Sequence, residues 1–313
     1  MALKIQENIP LAPLTTFTIG GNAKYFLEAN STADIQEAIQ WAKEEHVRFV
    51  VLAGGSNVLV PDEGIDGLVI HIVSQRYSFE SRPLSEEIEL IAEAGCNLLA
   101  LIREASSKGL GGWEKLAGIP GSIGGAIRGN AGAFGSEIKD FIRSVYALNV
   151  ETKETKEFTN ADCNFSYRHS FFKEHPEWII LSVQVRLAQS QYEDIQKSIN
   201  DTITEREKRH LQNVRAAGSY FMNPVAPREI VEMFEKEKGI KSREGRVPAG
   251  WLIEKAGMKG AKVGGAIASL QHPNYIVNTG NATAADVLEL AQKIRRVVKE
   301  KFDVQLQEEA VRI

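Results

Sequence analysis

Glycine-rich segments are the part of this sequence whose chemical use is easiest to state. Ten of the 26 glycines fall within residues 109–135, and a shorter run, 54–57, follows the apolar residues 49–52. Closely spaced glycines let a ligand approach the backbone and let successive N–H groups point at phosphate oxygens. Neither GxGxxG after the first predicted strand nor GxxxxGKS/T is present, which disfavours a Rossmann site and a P-loop. Both runs are therefore interpreted either as tight turns or as a backbone phosphate cradle.

Three side chains outside these runs could carry charge or a proton. Arg168 lies between an aromatic and a hydroxyl residue, a setting in which a guanidinium fork can grip a carboxylate. Ser219 lacks a GxSxG or SxxK context and an identifiable histidine base, which disfavours a serine hydrolase. Glu309, Val311 and Ile313 are spaced two apart, so a strand would put them on one face and hold the carboxylate at an apolar edge. Each residue also has a non-functional interpretation. Arg168 would be a solvated or ion-paired side chain, Ser219 a structural serine in a loop, and Glu309 a solvated glutamate near the terminus.

Composition and charge exclude several classes of protein. The 313 residues carry 37 Lys and Arg against 41 Asp and Glu, so no global field attracts nucleic acid or an anionic membrane. No apolar run approaches the roughly 20 residues that cross a bilayer. Cys96 and Cys163 lie far apart and the histidines lack ligand spacing, so we expect no disulfide and no metal site. The start lacks a basic stretch followed by an apolar run, so we expect a cytoplasmic protein.

Helix and strand patterns alternate along the chain and must position these residues. Ser31 with Asp34, and Thr283 with Asp286, form predicted capping boxes before apolar residues at helical spacing. Further helical patterns cover 98–105 and 191–209, and strand patterns cover 49–52, 58–60, 68–73, 88–92 and 181–187. An extended tail over 304–313 follows the last helix. At roughly 100–200 residues per domain, this length and pattern predict two domains that mix helices and strands.

Taken together, these segments resemble, in the same order, the UDP-N-acetylenolpyruvoylglucosamine reductases of bacterial peptidoglycan synthesis. The resemblance covers most of residues 15–313 and is weak near 74–92, 149–160 and 186–215. The blocks that carry it are Thr16-Phe17-Thr18-Ile19-Gly20-Gly21; Gly54-Gly55-Ser56-Asn57 with Leu59, Val60 and Asp62; Leu116 to Ala126 with Asn130 to Gly135; Tyr167-Arg168 with Ser170; Gly218-Ser219 with Phe221, Asn223 and Pro224; Ala249-Gly250-Trp251-Leu252-Ile253-Glu254; Gly264-Gly265-Ala266; His272, Asn274 and Asn278; and Leu306-Gln307-Glu308-Glu309.

The resemblance implies an α+β fold with a specific domain plan. Residues 1–190 would form an FAD-binding domain of the vanillyl-alcohol-oxidase type, built from two α+β subdomains over about 1–72 and 73–190. Residues 205–313 would form a smaller α+β substrate domain whose last strand carries a catalytic carboxylate. The short spacing between Arg168 and Ser219 resembles the compact class of the family.

The resemblance also implies a reaction and its cofactors, FAD and NADPH. NADPH would reduce bound FAD, and the flavin would then reduce the enolpyruvyl ether to give UDP-N-acetylmuramate. Arg168 and Glu309 match the family's charge-stabilising pair, and Ser219 matches its proton donor. The implied cofactor-binding residues are Gly54, Gly55, Ser56, Asn57, Gly118, Ile119, Pro120, Gly121, Ser122, Gly124, Gly125, Asn130 and Gly132. The implied substrate-binding residues are Tyr167, Arg209 and Asn223, with Lys208 and Arg215 as additional anion contacts.

Several positions depart from the family's usual pattern. Met222 stands where a lysine is usual, Arg128-Gly129 replaces an apolar-Met pair, and 210–216 lacks the usual prolines. Near the end of the chain, an extra residue, Ala310, precedes the Val-Arg pair, so Glu308 and Glu309 compete for one role.

Two other functions remain open at this point. One is a different flavin oxidoreductase of the same FAD-binding superfamily, which would use another electron donor or acceptor. The other is a non-catalytic flavin- or nucleotide-sugar-binding protein, suggested by Met222 and Arg128. In every case we expect a monomer whose partners are small molecules, without nucleic-acid or membrane partners.

Overall fold

The chain forms two compact units, each assembled from segments that are distant in sequence. The computed structural model describes residues 4–81, 88–209 and 214–313. The first unit comprises Met1–Ile9, Ala23–Gly54 and Asp66–Lys208. The second comprises Pro10–Asn22, Gly55–Ile65 and Arg209–Ile313. Two short segments from the first quarter of the chain therefore belong to the second unit.

Helices and strands are interspersed along the described chain. The helices are α1 (Thr32–Glu44), α2 (Leu98–Ser107), α3 (Ile123–Arg128), α4 (Phe171–Glu174), α5 (Tyr192–Arg209), α6 (Arg228–Lys238), α7 (Ala249–Lys255) and α8 (Ala284–Phe302). The strands are β1 (Gln6–Pro10), β2 (Asn22–Ala29), β3 (Phe49–Leu52), β4 (Val58–Leu59), β5 (Ile65–Ile72), β6 (Tyr77–Ser81), β7 (Ile88–Glu93), β8 (Leu110–Gly111), β9 (Gly132–Ala133), β10 (Ser136–Glu137), β11 (Ile142–Asn149), β12 (Thr155–Thr159), β13 (Trp178–Gln189), β14 (Lys262–Val263), β15 (Ala266–Ala268), β16 (Ile276–Asn278) and β17 (Val311–Arg312).

The smaller sheet of the first unit has the strand order β1-β2-β5-β3. Strands β3 and β5 run parallel, and the apolar side chains of α1 share a buried cluster with those of β2 and β5. The predicted cap of α1 is partly confirmed. The Ser31 hydroxyl accepts from the Asp34 N–H at 3.2 Å, but the Asp34 carboxylate accepts from the Asn30 N–H at 2.8 Å, one residue earlier than a capping box requires.

The larger sheet of the first unit is antiparallel, with the order β12-β11-β13-β7-β6. Its long strand β13 alternates as predicted, because Val183, Val185 and Leu187 are buried while Arg186 between two of them is exposed. Helices α2 and α3 contribute side chains to the same core. Asn97 caps α2 by accepting from the Ala100 N–H at 3.0 Å. This sheet and its two helices therefore support the dense glycine run.

The second unit packs α6, α7 and α8 with the short sheet β14-β15-β16 around its own apolar core. The capping box of α8 is confirmed: Thr283 accepts from the Asp286 N–H at 3.0 Å, and the Asp286 carboxylate accepts from the Thr283 N–H at 3.1 Å. The predicted extended tail is a strand only at β17, which pairs in parallel with β4. The α+β fold class is confirmed.

Both cysteines are free and buried. Burial raises the pKa of the Cys96 thiol to about 11 and that of the Cys163 thiol to about 12, so both are protonated and poorly nucleophilic at neutral pH. Within the described ranges, no helix is long and apolar enough to cross a membrane. The same residues contain no group of three His, Cys, Asp or Glu side chains that could hold a metal ion.

Candidate active site

Gly54, the first residue of the shorter glycine run, meets the dense run within the first unit. A Cβ atom on Gly54 would lie 2.6 Å from both the Gly121 Cα and the Ser122 backbone nitrogen. Real Cβ atoms do not approach backbone atoms that closely, so a side chain at position 54 would push the two loops apart. Gly54 thus packs directly against the second run, and this close approach explains why position 54 needs a glycine.

The second run turns into helix α3 through two glycines with positive φ, a serine cap and a closely packed glycine. Gly118 and Gly121 have φ values of 82° and 104°, which side chains rarely tolerate. The Ser122 hydroxyl caps α3 by accepting from the Gly125 N–H at 3.2 Å. A Cβ on Gly124 would lie 2.7 Å from the Ala94 Cβ, so this glycine seats the helix against the end of β7. These glycines are therefore required by the local backbone and packing.

The surface around Gly54 and the second run has features that a bound dinucleotide needs. Within the described chain, the backbone N–H groups of Gly54, Gly121 and Ser122 donate to no protein acceptor. Gly125 is exposed on α3, and a Cβ there would meet only the Ser122 Oγ, at 3.4 Å. Free N–H donors beside a helix face without side chains suit a ligand that carries phosphates and lies close to the backbone. The residues therefore fit FAD.

Asn130 is fully buried and its side chain is used by the protein itself. Its Nδ2 donates to the Ser166 carbonyl at 2.8 Å and to the Glu137 carboxylate at 3.1 Å, and its Oδ1 accepts from the Lys139 N–H at 3.3 Å. These bonds fix the end of the second run to the segment that carries Arg168. The side chain of Asn130 thus serves to fix the conformation of this loop.

Arg168 is held beside the second run in a strained conformation. Its φ of 56° is unusual for a residue with a side chain, and such strain is often found at functional sites. The guanidinium nitrogens Nη1 and Nη2 both lie 3.4 Å from the Gly132 carbonyl, and the group lies over the Tyr167 ring at 5.4 Å from its centroid. The first unit therefore brings Tyr167 and Arg168 together with the second glycine run.

Arg128, one of the departures from the family pattern, is the last residue of α3. Its carbonyl accepts from the Ser170 hydroxyl at 2.8 Å. The side chain is half-buried, and burial lowers the pKa of its guanidinium. Among the residues that the structure describes, it makes no ion pair or side-chain hydrogen bond. This position thus carries a partly desolvated positive charge.

In the second unit, Ser219 follows the left-handed Gly218, whose φ is 72°. The segment after Ser219 is held by the buried Asn274. The Asn274 side chain accepts from the Phe221 N–H at 3.0 Å and donates to the Phe221 carbonyl at 2.8 Å, and its own carbonyl accepts from the Tyr220 N–H at 2.7 Å. Three hydrogen bonds to two consecutive residues fix the backbone directly after Ser219.

This segment runs antiparallel to the end of the chain. The Met222 N–H donates to the Gln307 carbonyl at 2.9 Å, and the Glu309 N–H donates to the Tyr220 carbonyl at 2.8 Å. Phe221 and Glu308 form the bridge between these bonds. The second unit therefore places the candidate proton donor and the candidate carboxylate on two paired segments, about 90 residues apart in sequence.

Glu308 and Glu309 differ in what surrounds them. The Glu308 carboxylate pairs with Arg312 at 2.6 Å and with Arg295 at 3.3 Å, and its side chain is 14% exposed. Two guanidinium groups thus neutralise it. Glu309 is half-buried. The two arginines hold Glu308 in a structural role, and Glu309 is the candidate carboxylate that the resemblance implies.

The rest of the first glycine run packs within the second unit. A Cβ on Gly55 would lie 2.0 Å from the Leu14 carbonyl oxygen, and the Thr16 N–H donates to the Gly55 carbonyl at 3.1 Å. The Ser56 carbonyl accepts from the Thr16 hydroxyl at 3.3 Å. The Asn57 side chain donates to the Glu309 carbonyl at 3.0 Å. The opening segment around Thr16 therefore supports this loop.

The predicted substrate residues have different positions. The Asn223 Oδ1 accepts from the Ala249 N–H at 3.0 Å, at the first residue of α7, and its carbonyl accepts from Arg246 at 3.1 Å. Asn223 thus joins two parts of the second unit. Arg209 is the last residue of α5, and its side chain lies outside the described residues. Asn274 was part of the resemblance without a role, and only its contacts reveal that it holds the Ser219 segment.

The loops fit a flavoprotein with an FAD-binding domain, and comparison with known proteins agrees. Residues 23–156 match the FAD binding domain, and residues 209–313 match the C-terminal domain of UDP-N-acetylenolpyruvoylglucosamine reductase. The chain belongs to the UDP-N-acetylenolpyruvoylglucosamine reductase family, which confirms the resemblance seen in the sequence. Its cofactor is accordingly FAD.

Relatives cover nearly the whole chain. It is 39% identical over 302 residues to the UDP-N-acetylenolpyruvoylglucosamine reductase of Carboxydothermus hydrogenoformans, covering 96% of this chain and 91% of that one. It is 33% identical over 337 residues to the corresponding protein of Pseudomonas savastanoi pv. phaseolicola, covering 99% of each. The crystal structure of the reductase from Thermus caldophilus superposes with a TM-score of 0.77 at 29% identity, covering 99% of both chains.

Proposed function

We propose that this protein reduces UDP-N-acetylglucosamine enolpyruvate to UDP-N-acetylmuramate with NADPH as the electron donor. The observation that carries the proposal is the pairing of the Ser219 segment with the Glu309 segment, in a unit whose sequence matches the family's C-terminal domain. Bound FAD supplies the transfer of hydride from NADPH to the substrate. The chain's own residues supply positioning, charge and a proton.

The reaction places specific demands on those residues. Addition of hydride to an enol ether conjugated with a carboxylate leaves negative charge on the α-carbon and the carboxylate, and this carbon must then be protonated. We assign charge stabilisation to Arg168, whose guanidinium is permanently positive. Ser219 donates the proton. A free serine hydroxyl is a poor acid, so it can serve only where it is held against the developing carbanion.

Glu309 is assigned as the carboxylate that assists this transfer. A carboxyl group beside a growing anion stabilises it only while it carries a proton or pairs with a cation. Asn223, Tyr167 and Arg209 are assigned to substrate binding by resemblance. The protein works as a cytoplasmic monomer on these small molecules, in a pathway that serves cell shape and division.

The assigned cofactor surface can be tested at Gly125. We expect Gly125→Ala to lower FAD affinity at least about tenfold, because its methyl group would enter the space that a ligand over α3 needs. The apoprotein should fold as well as the wild type, since Ala stabilises a helix by about 1 kcal/mol relative to Gly. FAD affinity can be measured by fluorescence titration of the apoprotein.

Gly129→Ala is the matched control, because a Cβ there meets only the Gly125 carbonyl oxygen, at 3.6 Å. It should leave FAD affinity within about twofold. Equal FAD affinity of Gly125→Ala and Gly129→Ala would show that the cofactor does not lie against this face of α3.

The proposed reaction is tested by following flavin absorbance near roughly 450 nm under anaerobic conditions. We expect NADPH to bleach the band and UDP-N-acetylglucosamine enolpyruvate to restore it. Bleaching without recovery would indicate a flavin reductase with another acceptor. A protein that binds FAD but is not reduced would be a non-catalytic binding protein, and failure to bind FAD would contradict the proposal altogether.

A further inference from the structure

We propose that Asn57 is a positioning residue for Glu309, acting on the substrate half of the reaction rather than on FAD affinity. The resemblance groups Asn57 with the flavin loop, but its side chain is used elsewhere. This inference rests on the proposed function, in which Glu309 takes part in the reduction of the enolpyruvyl ether.

Asn57 binds the terminal segment through two of its groups. The side-chain Nδ2 donates to the Glu309 carbonyl at 3.0 Å, and the Asn57 carbonyl accepts from the Val311 N–H at 2.9 Å. These bonds lie on either side of Ala310, the extra residue before the Val-Arg pair. One asparagine therefore spans the point at which this chain departs from the usual spacing of its family.

Glu309 is fixed at both ends of its backbone. Its N–H donates to the Tyr220 carbonyl, in the segment that carries Ser219, and its carbonyl accepts from Asn57. With both groups held, the direction of the Cα–Cβ bond is set, and with it the range of positions open to the carboxylate. Loss of the Asn57 amide would release one of the two constraints while the other stays.

A role in the cofactor loop does not need the Asn57 side chain. The Asn57 backbone N–H donates to no acceptor within the described ranges, so it stays available to a ligand whatever side chain the residue carries. The side-chain amide, by contrast, already has its acceptor. The two functions of this residue are thus separable by substitution.

The test compares the two half-reactions in Asn57→Ala and in the nearly isosteric Asn57→Asp, which cannot donate to a carbonyl. We expect reoxidation of the reduced enzyme by UDP-N-acetylglucosamine enolpyruvate to slow by about 10- to 100-fold, because misplacement of a reacting group by about 1 Å costs that much. Reduction by NADPH and FAD affinity should stay within about threefold. Stopped-flow absorbance and fluorescence titration give these values.

Thr279→Val is the matched control. It removes one side-chain hydrogen bond of the same unit, from the Thr279 hydroxyl to the Gly265 carbonyl at 2.8 Å, without touching the terminal segment. Reoxidation by substrate should be unchanged to within about twofold, even where the melting temperature falls as much as in Asn57→Ala. A general loss of stability would slow both variants alike.

A double-mutant cycle decides whether Asn57 acts through Glu309. In a Glu309→Ala background, adding Asn57→Ala should change the reoxidation rate by less than about twofold, because the group it positions is gone. Additive effects would overturn the inference, as would a large loss of FAD affinity with normal reoxidation of the loaded enzyme. Wild-type protein that bleaches with NADPH but does not recover would refute the proposed function itself.

Discussion

Replacement of Ser219 by alanine is expected to leave reduction of the flavin by NADPH nearly intact and to slow its reoxidation by substrate about 10²- to 10⁴-fold. Only the second half-reaction needs a proton at the α-carbon, and a general acid typically contributes that much. The backbone around Ser219 should not change, because it is held by Asn274 through main-chain groups of residues 220 and 221. Anaerobic stopped-flow measurement separates the two rates.

Ser219→Cys makes this test more specific. A thiol is a stronger acid than a hydroxyl and can donate a proton from nearly the same place, so it should recover part of the lost rate. Reoxidation at the wild-type rate in Ser219→Ala would remove Ser219 from the mechanism. An equal fall in both half-reactions would point to a structural role instead.

Glu309→Ala and Glu308→Ala should affect different properties, the first the rate of reoxidation and the second the stability of the fold. We expect Glu309→Ala to slow reoxidation by about 10²-fold or more, the usual cost of losing one preorganised group that stabilises developing charge. Glu308→Ala should instead lower the free energy of unfolding by about 1–2 kcal/mol, because it leaves Arg312 and Arg295 without their shared carboxylate. The partial exposure of both arginines limits this loss.

Urea denaturation and half-reaction kinetics on both variants measure these two effects. Glu309→Gln completes the set, since it keeps the size of the side chain but cannot transfer a proton. If Glu308→Ala were the variant with the slower reoxidation and remained as stable as the wild type, Glu308 rather than Glu309 would be the catalytic carboxylate. Small and equal losses would mean that neither is the catalytic carboxylate.

Sequence patterns predicted the helices and strands that are determined by neighbouring residues, through apolar periodicity and helix caps. The strand at β3, the helix α8 with its Thr283 and Asp286 cap, and the alternation in β13 all appear as expected. The dense glycine run also predicted backbone positions with positive φ, and Gly118 and Gly121, at 82° and 104°, are two of them.

Pairings between distant segments were not predictable in the same way. The tail was expected to be extended over 304–313, but only β17 is a strand, and Glu308 and Glu309 are instead held by residues 220–222 and Asn57. No local pattern encodes such a partner. Side-chain amides that bind backbone carbonyls, as in Asn130 and Asn274, likewise have no sequence signature beyond the residue type.

The discontinuity of the second unit has a consequence for how the chain can be divided and how it folds. Phe17, Ile19 and Leu59 belong to a core whose other members all lie beyond residue 216, so a fragment that ends near residue 190 would leave these side chains in water. During synthesis the same residues emerge long before their partners exist. Closing such distant contacts is slow, and exposed apolar surface favours aggregation meanwhile. Cutting the chain at its apparent sequence boundary would therefore yield an insoluble piece rather than a working flavin domain.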